Sequence, residues 1–362
     1  MQTELNTHQT ELIKAFRFPL IVLVVFIHLL PFEGVAIETS WGGENIFHFF
    51  SEMISHNLGA IAVPSFFVIS GFLFFYNLED GCMSWKWVAG KWKSRIRTLL
   101  VPYLLWNVLA ILAILLKTRI SLLTGIGTDT VNEQLSAFQE GPLYWFWRGP
   151  ADYPLWYLRD LMVAVLAAPI LYYLFTWSRI AAWAVWGALW AFTVFKGGAY
   201  PFSAAAVYFT LGAFLGLSKT DFPAKCQKVK VLAYIIAFLL LMASTTMNGR
   251  PPHGPILQLF IPFGIIAFTN MVQAVIRNRK AKEWLIHLSP SVFFIYAIHN
   301  IYIINWVKGL FARISISGIW WRWTGYLLTP LIAITVCLLL FRLMNRLLPK
   351  TTGVLCGQRN AR

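Results

Sequence analysis

The chain has 362 residues, of which 58% are hydrophobic and only 12% are charged. Soluble proteins keep about a quarter of their residues charged, so this composition excludes a soluble globular protein and indicates a polytopic membrane protein. The net charge of +15 would suit nucleic acid. However, the basic residues form no concentrated patch with readout side chains, which argues against that partner.

Apolar segments recur along the whole chain, and we expect an all-α integral membrane protein with a single domain over 1–362. A polar lead, 1–16, and a basic tail, 345–362, flank the segments. An acidic outer loop is predicted at 33–56, with its carboxylates in solvent, and the longest loop is 118–153. The ten predicted transmembrane helices are about 17–32, 57–77, 98–117, 154–176, 180–195, 200–217, 231–247, 255–275, 289–307 and 321–344.

The distribution of Lys and Arg predicts the orientation of this bundle. With the N-terminus inside, the cytoplasmic segments hold 21 of these residues and the outer segments hold 8. Cytoplasmic loops of membrane proteins carry such an excess. We therefore expect both termini in the cytoplasm and basic loops that face anionic membrane lipids. The sequence has no Asn-x-Ser/Thr sequon, which is compatible with a bacterial origin, and we expect a multi-pass protein of the bacterial inner plasma membrane.

The four cysteines show neither a metal-ligand spacing nor an extracellular pattern. They are Cys82, Cys226, Cys337 and Cys356, and none falls in a predicted outer segment. We therefore expect no bound metal and no disulfide framework.

Arg17 and His28 are the most informative pair in the first predicted helix. Eleven helical steps of about 100° place both side chains on nearly one face, separated by about 16 Å along the axis. Ionisable groups at membrane depth are costly and by default functional. His28 could bond across a helix interface, relay protons in a transporter, or act as a neutral general base.

Arg95 and Arg97 precede the third predicted helix and are expected near Arg17 at its cytoplasmic end. Three arginines there would suit a ligand that bears several phosphates. Arg17 alone could instead be an interfacial anchor.

Ser70 and His299 are polar groups in the second and ninth predicted helices. No Gly-x-Ser-x-Gly turn surrounds Ser70, so it is a poor candidate nucleophile, and the neighbouring Gly71 could simply allow close helix packing. For His299 we expect packing or support of the site. Glu33 follows His28 closely enough that it could orient the imidazole.

Arg159 and Asp160 are adjacent opposite charges near the outer end of the fourth predicted helix. They could neutralise each other structurally or line an acceptor pocket. Trp156 could belong to the aromatic belt of a membrane protein or offer a stacking surface for a sugar ring.

Taken together, these segments resemble the acyltransferase 3 family of integral membrane acyltransferases. The most specific element is Arg17-x10-His28, which resembles the family's motif in its first helix. The supporting segments follow in the family's order: 64–72 (PSFFVISGF), 95–97 (RIR) before Pro102 and Tyr103, 155–158 (LWYL) and 294–299 (FIYAIH). The family often has R-x-x-R before the proline, so the spacing here leaves open which arginine contacts the donor.

The resemblance implies a ten-helix fold and transfer of an acyl group, usually acetyl, from cytoplasmic acyl-CoA to a hydroxyl of a glycan or other envelope molecule. The family's catalytic histidine corresponds to His28, for which we expect the role of general base, and the arginine of its first helix corresponds to Arg17. We expect Arg17, Arg95 and Arg97 to form the donor-binding set, with the choice between Arg95 and Arg97 as phosphate contact left open. Direct transfer and an acyl-imidazole both stay open. The alternative is a transporter or flippase that uses His28, Arg159 and Asp160 as a relay. A homo-oligomer is compatible with the sequence.

Overall fold

The computed structural model describes residues 7–30, 36–38, 42–78, 82–124, 141, 143–198, 202–314 and 318–358. Within these ranges all regular secondary structure is helical and none is strand. The helices are α1 Thr7–Ile27, α2 Gly43–Tyr76, α3 Trp85–Arg95 continued through Ile96–Leu100 and Val101–Thr124, α4 Tyr153–Trp177, α5 Arg179–Phe195, α6 Ala205–Leu217, α7 Phe222–Lys228, α8 Lys230–Thr246, α9 His253–Val275, α10 Arg279–Phe311, α11 Ile319–Leu347 and α12 Pro349–Leu355.

The helices have the length and composition of a multi-pass membrane protein. Six of those described (α2, α3, α4, α9, α10 and α11) are long and apolar enough to cross a bilayer. The bent pair α7 and α8, which meets at 79°, would make a seventh span, and α5 and α6 are shorter apolar helices. The total of ten spans, the position of the termini and the single-domain organisation stay predictions.

Helix α1 lies at the centre of the bundle and packs against α2, α9, α10 and α11. Leu20, Ile21 and Val25 are fully buried there. The predicted bounds of this helix, 17–32, were wrong at both ends. The helix begins at Thr7, because Leu12 and Phe16 of the predicted lead are buried in the core, and it ends at Ile27. Leu30 precedes a proline in the sequence, a position that disfavours helical backbone.

The acidic loop predicted at 33–56 is largely helical in the described structure. Helix α2 begins at Gly43, and Glu52 is buried beside His56, with its carboxylate 2.6 Å from the His56 Nδ1 atom. The expectation of a solvated outer face was therefore wrong for Glu52. Helical i,i+4 spacing brings the two groups together and offsets the cost of burying the carboxylate.

Helix α12 turns the C-terminal segment back onto α3. The Trp106 indole N–H donates to the Leu355 carbonyl at 3.0 Å, and Thr352 is fully buried. Gly357 has φ +61°, and a Cβ at this residue would lie 2.3 Å from the Thr98 carbonyl oxygen. Only glycine fits this turn, which sets residues 356–358 against the cavity described below.

Candidate active site

A cavity of about 660 Å³ lies between α1, α2, α3, α4 and α10, and we call it the cationic cavity. Its lining contains three cationic side chains and no carboxylate among the residues described. These cations are Arg17 of α1 and Lys91 and Arg95 of α3. The volume falls within the roughly 300–1,000 Å³ that is usual for ligand sites. Such a lining favours an anionic ligand.

The cations of the cavity differ in the groups that their charges contact. Arg17 has no ion-pair partner in the described part of the chain, whereas the Lys91 ammonium lies 4.9 Å from the Trp87 ring centroid. Arg97, which was expected beside Arg17, is exposed and lies outside the cavity lining. Two of the three arginines selected from the sequence thus share the cavity, and Lys91 joins them.

Hydroxyl groups from α2, α4 and α10 also line the cationic cavity. The Ser70 Oγ and Tyr157 Oη atoms are 3.3 Å apart, and the Tyr157 ring centroid is 6.0 Å from that of Tyr296. The Tyr296 hydroxyl donates to the Pro154 carbonyl. On the α1 side the lining reaches Val24, one helical turn before His28.

His28 occupies the turn that directly follows α1, where its N–H donates to the Val25 carbonyl at 3.2 Å. The imidazole is partly buried. Its ring centroid is 5.1 Å from that of His299 and 6.3 Å from that of Tyr153. His28 thus lies beyond the cationic cavity and beside a second buried histidine.

His299 is fully buried, and its contacts fix its tautomer. Its Nδ1 atom lies 3.0 Å from the Ile295 carbonyl and 2.8 Å from the Tyr296 carbonyl, so Nδ1 carries the proton and donates. Its Nε2 atom is therefore a lone-pair acceptor, and within the described structure it has no hydrogen-bond partner. His299 begins a π-helical stretch, His299–Ile304, an irregularity that is frequent at functional sites.

Comparisons with known proteins identify the class of this site. The family model described as an acyltransferase domain matches residues 12–342. The chain belongs to the acyltransferase 3 family. This confirms the resemblance inferred from the Arg17-x10-His28 spacing and makes the protein a membrane acyltransferase.

The chain is also similar to a named bacterial protein. It is 25% identical over 371 residues to "Succinoglycan biosynthesis protein ExoH" of Rhizobium meliloti (strain 1021), with 96% of this chain and 92% of that protein covered. No solved structure matches the acyltransferase.

Arg159 and Asp160 of the acyltransferase form an ion pair that holds a neighbouring segment. Arg159 Nε and Asp160 Oδ1 are 2.8 Å apart, and Arg159 Nη1 donates to the Trp147 and Arg148 carbonyls. Neither residue lines the cationic cavity, and Trp156 also lies outside it, partly buried against the core. Their proposed role in acceptor access stays a prediction. Residues 125–140 and 142 of the loop 118–153, and Glu33, lie outside the described residues.

Asp152 is a buried residue that the sequence analysis did not select. It is fully buried, and neither carboxylate oxygen has a hydrogen-bond partner among the described residues. Burial raises the pKa of the Asp152 carboxyl well above its ordinary value and so favours the neutral acid. It directly precedes Tyr153, the ring neighbour of His28. An aspartate just before an apolar helix was the available signal.

Cys356 lines the cationic cavity but is poorly suited to attack a thioester. Burial raises the pKa of its thiol to about 12, so the thiolate is scarce at neutral pH. Among the residues described, no group of three or more His, Cys, Asp or Glu side chains could hold a metal ion.

Proposed function

We propose that the protein transfers an acyl group, for which we expect acetyl, from acyl-CoA to a hydroxyl of an envelope polysaccharide. The observation that carries this proposal is the cationic cavity, which begins at Arg17 and follows α1 toward His28. A phosphate-rich head and a long, narrow pantetheine arm with amide and hydroxyl groups are the two features of a CoA thioester that such a cavity would suit.

In this proposal the donor phosphates bind Arg17, Arg95 and Lys91 at the cytoplasmic side of the inner membrane. Guanidinium groups suit phosphate because they offer paired N–H donors. The pantetheine arm then passes the hydroxyls of Ser70 and Tyr157 and brings the thioester to His28. Membrane lipids surround the bundle, and the donor and the acceptor enter from opposite faces.

The proposed chemistry uses His28 as a general base. Its unprotonated ring nitrogen accepts the proton of the acceptor hydroxyl while that oxygen attacks the thioester carbonyl carbon. The new C–O bond forms, the C–S bond breaks, and the departing CoA sulfur takes the proton from the imidazolium. An acyl-imidazole on His28 followed by transfer to the hydroxyl would reach the same products.

A polysaccharide acceptor is supported by the similarity to ExoH, whose name assigns that protein to succinoglycan biosynthesis. The transporter alternative has less support. Its expected relay includes Arg159 and Asp160, but these groups bond to each other and to loop carbonyls, and no observed contact joins them to His28.

The test is transfer of radiolabelled acetyl from acetyl-CoA in membranes that contain the wild type or His28→Ala, followed by isolation of the labelled polysaccharide. We expect label with the wild type and none with His28→Ala. His287→Ala is the matched control, because His287 is exposed and lies outside the cationic cavity. Near-normal labelling by His28→Ala would overturn the role of His28. An acetyl-CoA-independent transport activity would overturn the function.

A further inference from the structure

A second cavity, of about 340 Å³, lies at the opposite end of α1 from Arg17, and we call it the outer cavity. Leu29 and Leu30, the two residues that follow His28, form part of its wall. The remaining wall comes from α2, α10 and α11. The outer cavity therefore adjoins the proposed base on the side away from the cationic cavity.

Aromatic rings supply much of the wall of the outer cavity. Phe311 and Trp321 lie with ring centroids 5.5 Å apart, and Phe47 lies on the side of α2. Flat apolar rings beside a few polar groups are the usual lining of sites for small organic ligands. Such rings suit the C–H faces of a sugar.

Two cations, Lys308 and Arg322, complete the wall, and they differ in whether a carboxylate neutralises them. Arg322 forms an ion pair with Glu44, and its guanidinium carbon lies 4.7 Å from the Phe47 ring centroid. Lys308 is exposed and, in the part of the chain that the structure describes, forms neither an ion pair nor a hydrogen bond. The lining contains no carboxylate among those residues. The charge of Lys308 is thus available to a ligand.

We propose that the outer cavity binds the acceptor through a sugar that carries a carboxylate, with Lys308 as the partner of that carboxylate. This inference rests on the proposed function and specifies its acceptor as an acidic glycan. The sugar ring lies against Trp321 and Phe311, and a hydroxyl of the same sugar or its neighbour then reaches His28. A neutral sugar would make the same ring contacts without the ion pair.

The test compares methyl β-glucuronide with methyl β-glucoside at matched ionic strength. The two differ only at C6, which is a carboxylate in the first and a hydroxymethyl group in the second. Binding is measured as the rise in melting temperature of full-length protein in neutral detergent over a range of glycoside concentrations, because a ligand of the native state stabilises it by an amount that grows with the logarithm of its concentration divided by its Kd. We expect the wild type to bind the glucuronide roughly two- to fivefold more tightly, as for an exposed ion pair. Added salt should reduce the difference.

Variants locate the effect. Lys308→Gln should remove the preference, and Lys308→Arg should retain it. Lys196→Gln is the control, since Lys196 is an exposed cation that lines neither cavity and is predicted on the same side of the membrane. Equal binding of both glycosides by the wild type, or a preference that survives Lys308→Gln, would overturn the proposal. So would loss of the preference on adding phosphatidylglycerol, because the cavity would then be a lipid site.

Acetyl-CoA stabilisation, measured in the same samples, separates this proposal from the proposed function. If acetyl-CoA raises the melting temperature but the glycosides bind equally, the acidic acceptor fails and the donor site stands. If the glucuronide preference is present without any effect of acetyl-CoA, the donor half of the proposed function fails.

Discussion

His28 and His299 come from opposite ends of the chain, yet their ring centroids lie 5.1 Å apart. Two backbone carbonyls hold the proton of His299 on Nδ1, so its Nε2 atom presents a lone pair inside the bundle. A buried acceptor in this position can orient a neighbouring imidazole. We propose that this lone pair orients the His28 ring, which would make His299 a positioning residue for the proposed base.

The first prediction concerns this role. His299→Phe keeps an aromatic ring but removes the acceptor nitrogen, so His28 should lose orientation. We expect kcat to fall with little change in KM, and by less than the roughly 10²- to 10⁴-fold that a general base contributes. Initial rates of acetyl transfer across a range of pH would show a changed profile as well. Full activity with an unchanged pH profile would rule out positioning by His299.

The second prediction separates the roles of the arginines at the proposed donor site. Arg17→Gln and Arg95→Gln remove cations that line the cationic cavity, whereas Arg97→Gln alters an exposed residue outside it. A hydrogen bond to a charged group contributes about 1.5–3 kcal/mol, so we expect the KM for acetyl-CoA to rise roughly ten- to a hundredfold in the first two variants. Arg97→Gln should leave KM near the wild-type value. A comparable rise with Arg97→Gln would show that the phosphates bind outside the cavity.

The positions of the basic residues on α3 show why the sequence predicted only part of the cationic cavity. Lys91 and Arg95 are four residues apart and share a helix face, whereas Arg97 is about 200° away from Arg95. The segment between the second and third predicted helices was expected to be a loop. Helical periodicity was therefore not applied to it, and Lys91 was missed. The Arg17-x10-His28 pair could be selected because both residues belong to one continuous apolar run, where helical periodicity relates them directly.

Features that depend on distant segments could not be predicted in this way. The return of α12 onto α3 requires the Trp106 contact with Leu355, which no local pattern indicates. The proximity of His28 and His299 likewise depends on how α1 and α10 pack. Burial of Glu52 follows from the position of α2 in the bundle, whereas the acidic composition of residues 33–56 alone predicted exposure to solvent.

The third prediction concerns Asp152, whose carboxyl pKa is raised by burial. In the unfolded chain the carboxyl ionises near pH 3.9, so between that pH and the folded-state pKa the folded protein binds more protons. The free energy of unfolding therefore falls as pH rises through this window. Asp152→Asn removes the free-energy cost of keeping this carboxyl protonated in the folded protein. We therefore expect the melting temperature of the variant to exceed that of the wild type by a margin that grows from pH 5 to pH 8.

The control for this prediction is Glu38→Gln, at an exposed carboxylate. It should change the melting temperature little at either pH. If Asp152→Asn instead lowered the melting temperature most at pH 8, the ionised carboxylate would be the stabilising form. Asp152 would then have a cationic partner in the working protein.

The last prediction tests the contact between α2 and α6. A Cβ at Gly71 would lie 2.2 Å from the Phe209 carbonyl oxygen and 2.8 Å from the Ala213 nitrogen, so both close contacts are with backbone. Gly71→Ala must separate the two helices, and overpacking of this kind costs about 1–3 kcal/mol. We expect a lower melting temperature in detergent.

Gly90→Ala is the matched control, because Gly90 is exposed on α3 and nothing lies within 4 Å of its would-be Cβ. Alanine is the better helix former by about 1 kcal/mol, so Gly90→Ala should be at least as stable as the wild type. Equal melting of both variants would contradict the close approach of α2 and α6, and with it the placement of Ser70 in the wall of the cationic cavity.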